Sequence, residues 1–519
     1  MEIKADLVAV NGNIITMDPE QPTATALAVK SYKVLAVGSD EMAMDLVSTA
    51  KRVIDLGGKT VVPGFVDAHC HLTQKGIRSS YVHLHDAKSP QEVKKRLKRE
   101  VPKHEKGQWI RGFGWDESNW DEKRYLTRND LDEISKEHPI AIDRVDLHLA
   151  SVNSMALEEL DIDLDQDGVE KDKKGKPTGV LKDIEGLYDN IEPSEKNVYE
   201  GVVAGNRLAN EVGITTAVDN APAGYLRSLR RAERTNELTA RMIINPPVTQ
   251  IDHLTELGIT SGMGGAMVRI GGAKIFTDGS IGARTAALSE PYADDKDNTG
   301  KMLLNKEDFS SIIRKAMEND IQTVTHAIGD RAIEMVISSF EESSYTSKIR
   351  NQRHRIEHAE LISLDQIRRA ASLGLILSMQ PNFVGRWQQK EGLYMDRLGE
   401  ERVMTMNMFK AALDNGARLC FGSDGMPLGP IYGIWSAVSH HNPKVQLNVE
   451  EALRCYTMEG AYSSFVENIV GSLKEGKRAD FAVLSDNILE VPPNEICDIE
   501  VERTILGGKV EYSNPKAVG

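Results

Sequence analysis

Long apolar runs are missing from this 519-residue chain. No stretch reaches the ~18 apolar residues that a membrane-spanning helix needs, so no span is expected. Cysteine is scarce: Cys70, Cys420, Cys455 and Cys497 lie far apart and form no CxxC pair. They read as reduced thiols of a cytosolic protein. An excess of positive charge is also lacking. Lys and Arg number 63 against 78 Asp and Glu, a net −15 with both signs mixed along the chain. That argues against nucleic acid or an acidic membrane surface as the main partner. No GxGxxG opens a first helix, which counts against a doubly wound open sheet. The N-terminus, MEIKADLVAVNGNIITMD, alternates too regularly for a signal peptide, so the expected location is cytoplasmic.

What is present is an ordinary globular composition and room for a large core. The first sixty or so residues read as short strands and hairpins, with Asn-Gly marking one turn in ADLVAVNGNIITM. The last fifty have the same character, in RADFAVLSD and VERTILGGKVEYS. Neither end carries enough apolar surface for its own core, so the two are expected to pair into one small β-sandwich.

Between them, strands alternate with helices. FVDAHCH, GITTAVD, ARMIINPPV, MVRIGGAKIF, IQTVTHAIG, RHRIEHAEL, GLILSMQPN and ARLCFGSD are apolar runs rich in β-branched residues. Most are followed by helical periodicity, as in KEDFSSIIRKAMEND. Eight such units predict an α/β fold built on a right-handed (β/α)8 TIM barrel, which occupies ~250 residues. About 140 residues separate the first run from the second, too many for a βα loop. They predict an inserted α/β subdomain. The expected organisation is residues 1–61 as the first part of the sandwich and 62–75 as the first barrel strand. Residues 76–190 form the insertion, 191–468 the rest of the barrel, and 469–519 the second part of the sandwich.

Strand ends carry the chemistry. His69 and His71 alternate onto one face at the close of VVPGFVDAHCHL. Alone they could be two satisfied histidines. His326 closes IQTVTH, His358 closes RHRIEH and Asp424 closes LCFGSD. Alternation sets His358 opposite Arg353, Arg355 and Glu357. In a barrel these carboxyl-terminal ends meet at one rim. Together they supply N and O donors suited to a divalent metal such as zinc. Lys274 lies on an apolar, Gly-flanked strand. It is either paired to a carboxylate or, facing cations, a neutral amine able to react with CO2 and form a bridging carbamate.

HxH, Lys, His, His and Asp in this order resemble the amidohydrolase superfamily. GSLKEGKRADFAVL resembles its C-terminal sandwich signature. GFGWDESNW, KIFTDGSIGART, THAIGDRAI and YTMEGAYSS resemble the branch containing N-substituted formamide deformylase and YtcJ-like proteins. The resemblance implies that His69, His71 and Asp424 hold one metal ion and that His326 and His358 hold a second. Carboxylated Lys274 would bridge them, although some relatives work with one ion. It implies hydrolysis of a C–N, non-peptide bond of a small molecule, with Asp424 as general base and acid, and a homodimer. A ring-amine deaminase is the alternative, against which Lys274 counts. A non-catalytic scaffold is another, against which the filled donor positions count.

Other candidates are softer. His148 reads as a substrate contact, an extra ligand or a structural residue of the insertion. Trp115 and Asp116 either line a pocket or pack the insertion. Asp278 and Arg284 either contact substrate or, for Asp278, cap the turn at Gly279. Asp219 and Asp330 read as orienting or capping residues.

Overall fold

The apolar runs of the middle of the chain become parallel strands. Phe65–Cys70, Ile214–Asn220, Arg241–Asn245 and Val268–Ile270 lie side by side in one sheet. Ala273–Phe276, Thr323–Ala327, Arg355–His358, Ile376–Met379 and Arg418–Phe421 form a second. Most of their residues are buried. A parallel sheet is covered on both faces, so its strands read as continuous apolar runs. The computed structural model describes all residues except 1–3, 118–119, 145–148, 183, 185–186, 189–190, 192, 441 and 517–519.

One run departs from its sequence reading. MVRIGGAKIF, expected as a single strand, is two, and they belong to different sheets. The break is Gly271–Gly272. A Cβ on Gly271 would lie 2.2 Å from Asn245 Oδ1, and one on Gly272 would lie 2.5 Å from Gln322 O. Only glycine lets the backbone pass so close. Backbone bonds link the two sheets. Lys274 N donates to Pro246 O, and Asp424 N donates to His69 O, both at 2.8 Å.

The helices start where local chemistry starts them. Asn305 accepts from Asp308 N at 2.8 Å and opens Lys306–Glu318, whose Phe309, Ile313, Ala316 and Met317 form the buried stripe. Ser363 and Gln366 make a reciprocal capping box at the head of Leu364–Leu373, and Gly374, with φ of 81°, closes that helix.

The chain forms two compact units, Met1–Gly76 with Val202–Gly519, and Ile77–Gly201. The first contains the terminal strands. Leu7–Val10, Ala26–Lys30, Lys33–Gly38 and Val53–Asp55 form one sheet. In another, Thr60–Pro63 pairs antiparallel with Phe481–Leu484, joining the two ends of the chain. Leu7, Leu27, Val34, Val61, Phe481 and Ile505 share one core. Arg241 fastens a parallel strand to this layer: Nε and Nη2 donate to the two oxygens of Asp480 at 2.7 and 2.9 Å. Both side chains are buried.

The second unit has a mixed sheet. Its order is Val169–Lys171, Pro177–Lys182, Leu149–Val152, Ile140–Arg144, Ile110–Trp115 and Val82–His83. Helix Pro90–Glu100, capped by Ser89, contributes Val93 and Leu97 to its core beside Trp115 and Trp120.

Two stability predictions follow from buried polar groups. Asp480→Ala strands the Arg241 guanidinium, so the protein loses about 3–5 kcal/mol, read as a fall in the urea midpoint. His354 is fully buried. Its Nδ1 accepts from Thr323 N and its Nε2 donates to Gln352 Oε1, both at 3.0 Å. Burial pushes it from the ordinary histidine value of 6.5 down to about 3. The unfolded chain takes up this proton below 6.5 and the folded one does not, so stability falls as pH drops through that window. Thermal melts of His354→Gln at a series of pH values will show a shallower acid loss than the parent.

Candidate metal centre

Three donors meet where the first and last parallel strands end. His69 is the penultimate residue of Phe65–Cys70 and His71 follows that strand. Asp424 lies three residues beyond Phe421, in a turn that Asp67 anchors. Ser423 N donates to Asp67 Oδ1 at 3.0 Å, and Ser423 Oγ donates to Oδ2 at 2.5 Å. His69 N donates to the same carboxyl at 3.2 Å. Gly422 makes this approach possible, since a Cβ there would lie 2.4 Å from His69 N. Asp424 Oδ1 ends 3.2 Å from His71 Nε2 and 3.5 Å from His69 Nε2. One ligand atom from each of the three residues fits within 4.8 Å of the others.

The other predicted donors are neighbours. The rings of His69 and His358 are 4.9 Å apart between centroids, and those of His358 and His326 are 4.4 Å apart. His326 Nε2 donates to Gly279 O at 3.0 Å, which leaves Nδ1 as its lone-pair nitrogen. Lys274 is 3% exposed, with Nζ 4.8 Å from the Phe276 ring. Among the described residues, Lys274 Nζ, His358 Nδ1 and Asp424 Oδ1 are buried without a hydrogen-bond partner. Buried polar atoms are ordinarily satisfied. Orphaned imidazole and carboxylate donors side by side fit a divalent cation.

Electrostatics keep the donors in ligand form. Burial opposes ionisation of Asp424, but His71, His69 and Lys274 outweigh it and hold the acid at about 2. Burial, and then the Lys274 charge, push His326 down to about 4. His69 falls for the same reasons, and His358 through burial and the neighbouring His326. Neutral imidazole and ionised carboxylate are the states a metal requires. His71 differs: burial pulls it down, but the adjacent Asp424 carboxylate carries it upward. Lys274 is pulled down to about 8, chiefly by burial, while Glu357 and Asp424 hold it up. Near these groups, burial pushes the carboxyl of Glu360 up to about 8. Tyr394 and Asn407 pull the other way, and the charges of Asp278 and Asp424 reinforce the rise.

Sequence reading missed two residues of the centre. His69 Nδ1 donates to Glu357 Oε2 in a short bond. Arg355 braces that carboxylate, with Nε on Oε1 at 2.7 Å and Nη2 on Oε2 at 3.0 Å. Nη2 also reaches Ala68 O and Ser378 Oγ. Strict alternation places Glu357 on the face opposite His358, yet both face His69. The cause is local: His358 and Ala359 have φ of 70° and 49°, so the alternation ends at Glu357. Asp424 is also left-handed, at 53°. Strained backbone of this kind gathers at functional sites.

The softer candidates are differently placed. Asp278 is fully buried and accepts from Ala287 N, Ile328 N and Gly329 N at 2.8–3.0 Å. Its carboxyl therefore organises loops instead of capping the turn at Gly279, and its Oδ1 lies 3.5 Å from His326 Nε2. Arg284 pairs with Asp294 through two bonds of 3.0 and 2.9 Å. Trp115 is fully buried in the second unit, stacked on Trp120, and gives its indole N–H to Ile142 O. Asp116 lies 3.4 Å from Arg144 Nη2. His148 falls outside the described residues. Asp219 accepts from Thr73 N and Oγ1, and Asp330 accepts from Ser289 N.

Glu357→Gln weakens the brace on His69. Metal affinity is expected to fall about 10- to 100-fold, measured by competition with a chelator; because Arg355 loses its buried anionic partner, the metal-free protein is also expected to melt at a lower temperature.

The model of the amidohydrolase family matches residues 52–512. The chain is 31% identical to YtcJ of Bacillus subtilis (strain 168), over 96% of this chain and 98% of YtcJ. It is 26% identical to the N-substituted formamide deformylase of Arthrobacter pascens, over 98% of each. It is also similar to an uncharacterised metal-dependent hydrolase from Pyrococcus furiosus whose crystal structure is known. The TM-score is 0.81 at 29% identity, covering 93% of this chain and 100% of that one. With the donor cluster at its strand ends and a family match across most of its length, the chain belongs to the amidohydrolase family and is a hydrolase acting on C–N bonds.

Proposed function

We propose that the enzyme cleaves an amide-like, non-peptide C–N bond of a small molecule, with zinc as the metal and Asp424 as the proton carrier. The observation that carries this reading is the meeting of His69, His71 and Asp424 donor atoms within 4.8 Å. Imidazole and carboxylate donors suit zinc. We read the two parallel sheets as one (β/α)8 barrel. Support for closure comes from the backbone bonds that Lys274 and Asp424 make across the seams.

His69, His71 and Asp424 would hold one ion, and His326 and His358 a second. Lys274, once carboxylated, would stand between them. Its near absence from solvent, its unpartnered Nζ and its value of about 8 favour the neutral amine that reacts with CO2. A divalent ion bound in this set supplies Lewis acidity toward a carbonyl oxygen and makes water acidic enough to deprotonate near pH ~7.

The chain's own residues handle position and protons. Glu357 keeps the Nδ1 proton of His69, so Nε2 is the donor presented toward Asp424. Asp424, ionised at neutral pH, takes a proton from the attacking water and delivers it to the leaving nitrogen. His71 Nε2 lies 3.2 Å from the same carboxylate oxygen.

The test is a hydrolysis screen of N-formyl, N-acyl and cyclic amides with zinc-loaded protein. At least one class is expected to turn over, and chelation is expected to abolish it. Asp424→Asn is expected to lower kcat by about 10²- to 10⁴-fold. Near-normal turnover by that variant with its metal still bound would remove Asp424 from proton transfer. Intact mass of the native protein should show one added CO2, absent in Lys274→Ala.

A further inference from the structure

The strand that carries Lys274 ends in a residue with no task in the scheme above. Ala273, Lys274 and Ile275 are buried, but Phe276, which closes Ala273–Phe276, is 47% exposed. Side chains alternate between the faces of a strand, so Phe276 shares the face of Lys274. Two contacts agree. The ring lies 4.8 Å from Lys274 Nζ, and its centroid is 5.1 Å from that of His326, with the planes 40° apart. The phenyl group therefore stands over two of the predicted donors, and the rest of it meets water. The donors themselves are open on one side, since the His71 side chain is 41% exposed.

A second apolar residue is left to water at the same strand end. Leu303 N donates to Thr277 O at 2.9 Å, which fixes Leu303 at the residue after Phe276, and it is 50% exposed. Single exposed apolar side chains need no explanation. A ring left open against buried donors is different, because it stands where a reacting molecule arrives, and covering it is favourable.

Sheet order gives the ring a side. Ala273–Phe276 and Arg418–Phe421 are the two edge strands of their five-stranded sheet, and the strands carrying His326 and His358 lie between them. Asp424, just beyond one edge strand, faces His69 and His71. Phe276, at the end of the other, faces Lys274 and His326. Two groups diverge from the carbonyl carbon of an amide, the leaving nitrogen and the acyl substituent. With the nitrogen turned to Asp424 for its proton, the acyl substituent points toward Phe276.

We infer that Phe276 is the specificity residue for the acyl side of the substrate, a platform on which an aromatic or bulky apolar acyl group packs. The inference rests on the hydrolase reading, with Asp424 as the proton carrier. It narrows the substrate class to N-substituted amides of aryl or bulky apolar acids. A formyl compound has only hydrogen on that side and leaves the ring uncovered.

The two halves of such an amide test this by binding, independent of turnover. Phenylacetate and acetate share a carboxylate and differ by the ring, whereas benzylamine carries its ring on the nitrogen side. Each is titrated calorimetrically into zinc-loaded protein at neutral pH. The parent is expected to bind phenylacetate about 10-fold or more tightly than acetate. Phe276→Ala is expected to lower that preference by about 10-fold, the upper range for one aromatic pair, with zinc content and the binding of acetate and benzylamine unchanged. Phe276→Leu, apolar but without the ring, is expected to keep part of the preference, and it carries the test should Phe276→Ala fail to fold. No preference in the parent, a preference that survives both substitutions, or a loss confined to benzylamine would overturn the subsite. Such a result beside intact amide hydrolysis and zinc binding would leave the hydrolase reading standing. Failure of the parent to bind zinc would overturn that reading and the subsite with it.

Discussion

The arrangement depends on His69 being held between two carboxylates. Glu357 accepts the Nδ1–H hydrogen bond and Asp424 faces Nε2. As the neutral ring with its proton on Nδ1, the buried imidazole donates to Glu357 and leaves its Nε2 lone pair directed toward Asp424 and His71, the arrangement of a set of donors around a cation. Arg355 makes the arrangement affordable electrostatically. It neutralises Glu357, which would otherwise be an unpaired buried charge. The arginine also grips Ala68 O, so the same side chain fixes both the strand that carries His69 and the acid that orients it.

Much of this could be read from the chain, and what could not be read has identifiable causes. The parallel strands announce themselves as apolar runs because both faces are covered. The donors at their ends stand out because a histidine or aspartate closing such a run is conspicuous. Glu357 is not conspicuous. It sits inside RHRIEH, where alternation assigns it to the face opposite His358; the left-handed backbone at His358 ends that alternation, so that both side chains reach His69. Positive φ at a histidine leaves no mark in composition or periodicity. Arg355 is hidden for a related reason. A fully buried arginine contradicts the rule that charges face water, and the rule fails only where a partner as close as Glu357 exists. Trp115 shows the reverse. Its motif is prominent in the sequence, yet the ring lies in a core with its N–H already used.

Glycine supplies the tolerances that the strand pattern cannot. Gly271 and Gly272 interrupt a run that otherwise reads as one strand, and the chain changes sheets there. Lys274, two residues later, is therefore positioned by the switch itself, through its bond to Pro246 O. Gly422 does similar work beside His69. A Cβ at Gly271, Gly272 or Gly422 would lie 2.2–2.5 Å from a neighbouring atom, so these glycines help to place Lys274 and His69.

The pairing of Thr60–Pro63 with Phe481–Leu484 has a consequence for biosynthesis. The early strand leaves the ribosome more than 400 residues ahead of its partner, at translation rates of about 5–20 residues per second. For that interval it presents an unpaired, apolar edge, the kind that recruits other chains. The small terminal layer can close only when synthesis is nearly complete. Until Phe481–Leu484 emerges, the edge at Thr60–Pro63 stays open, and truncation near the end exposes a surface made at the beginning.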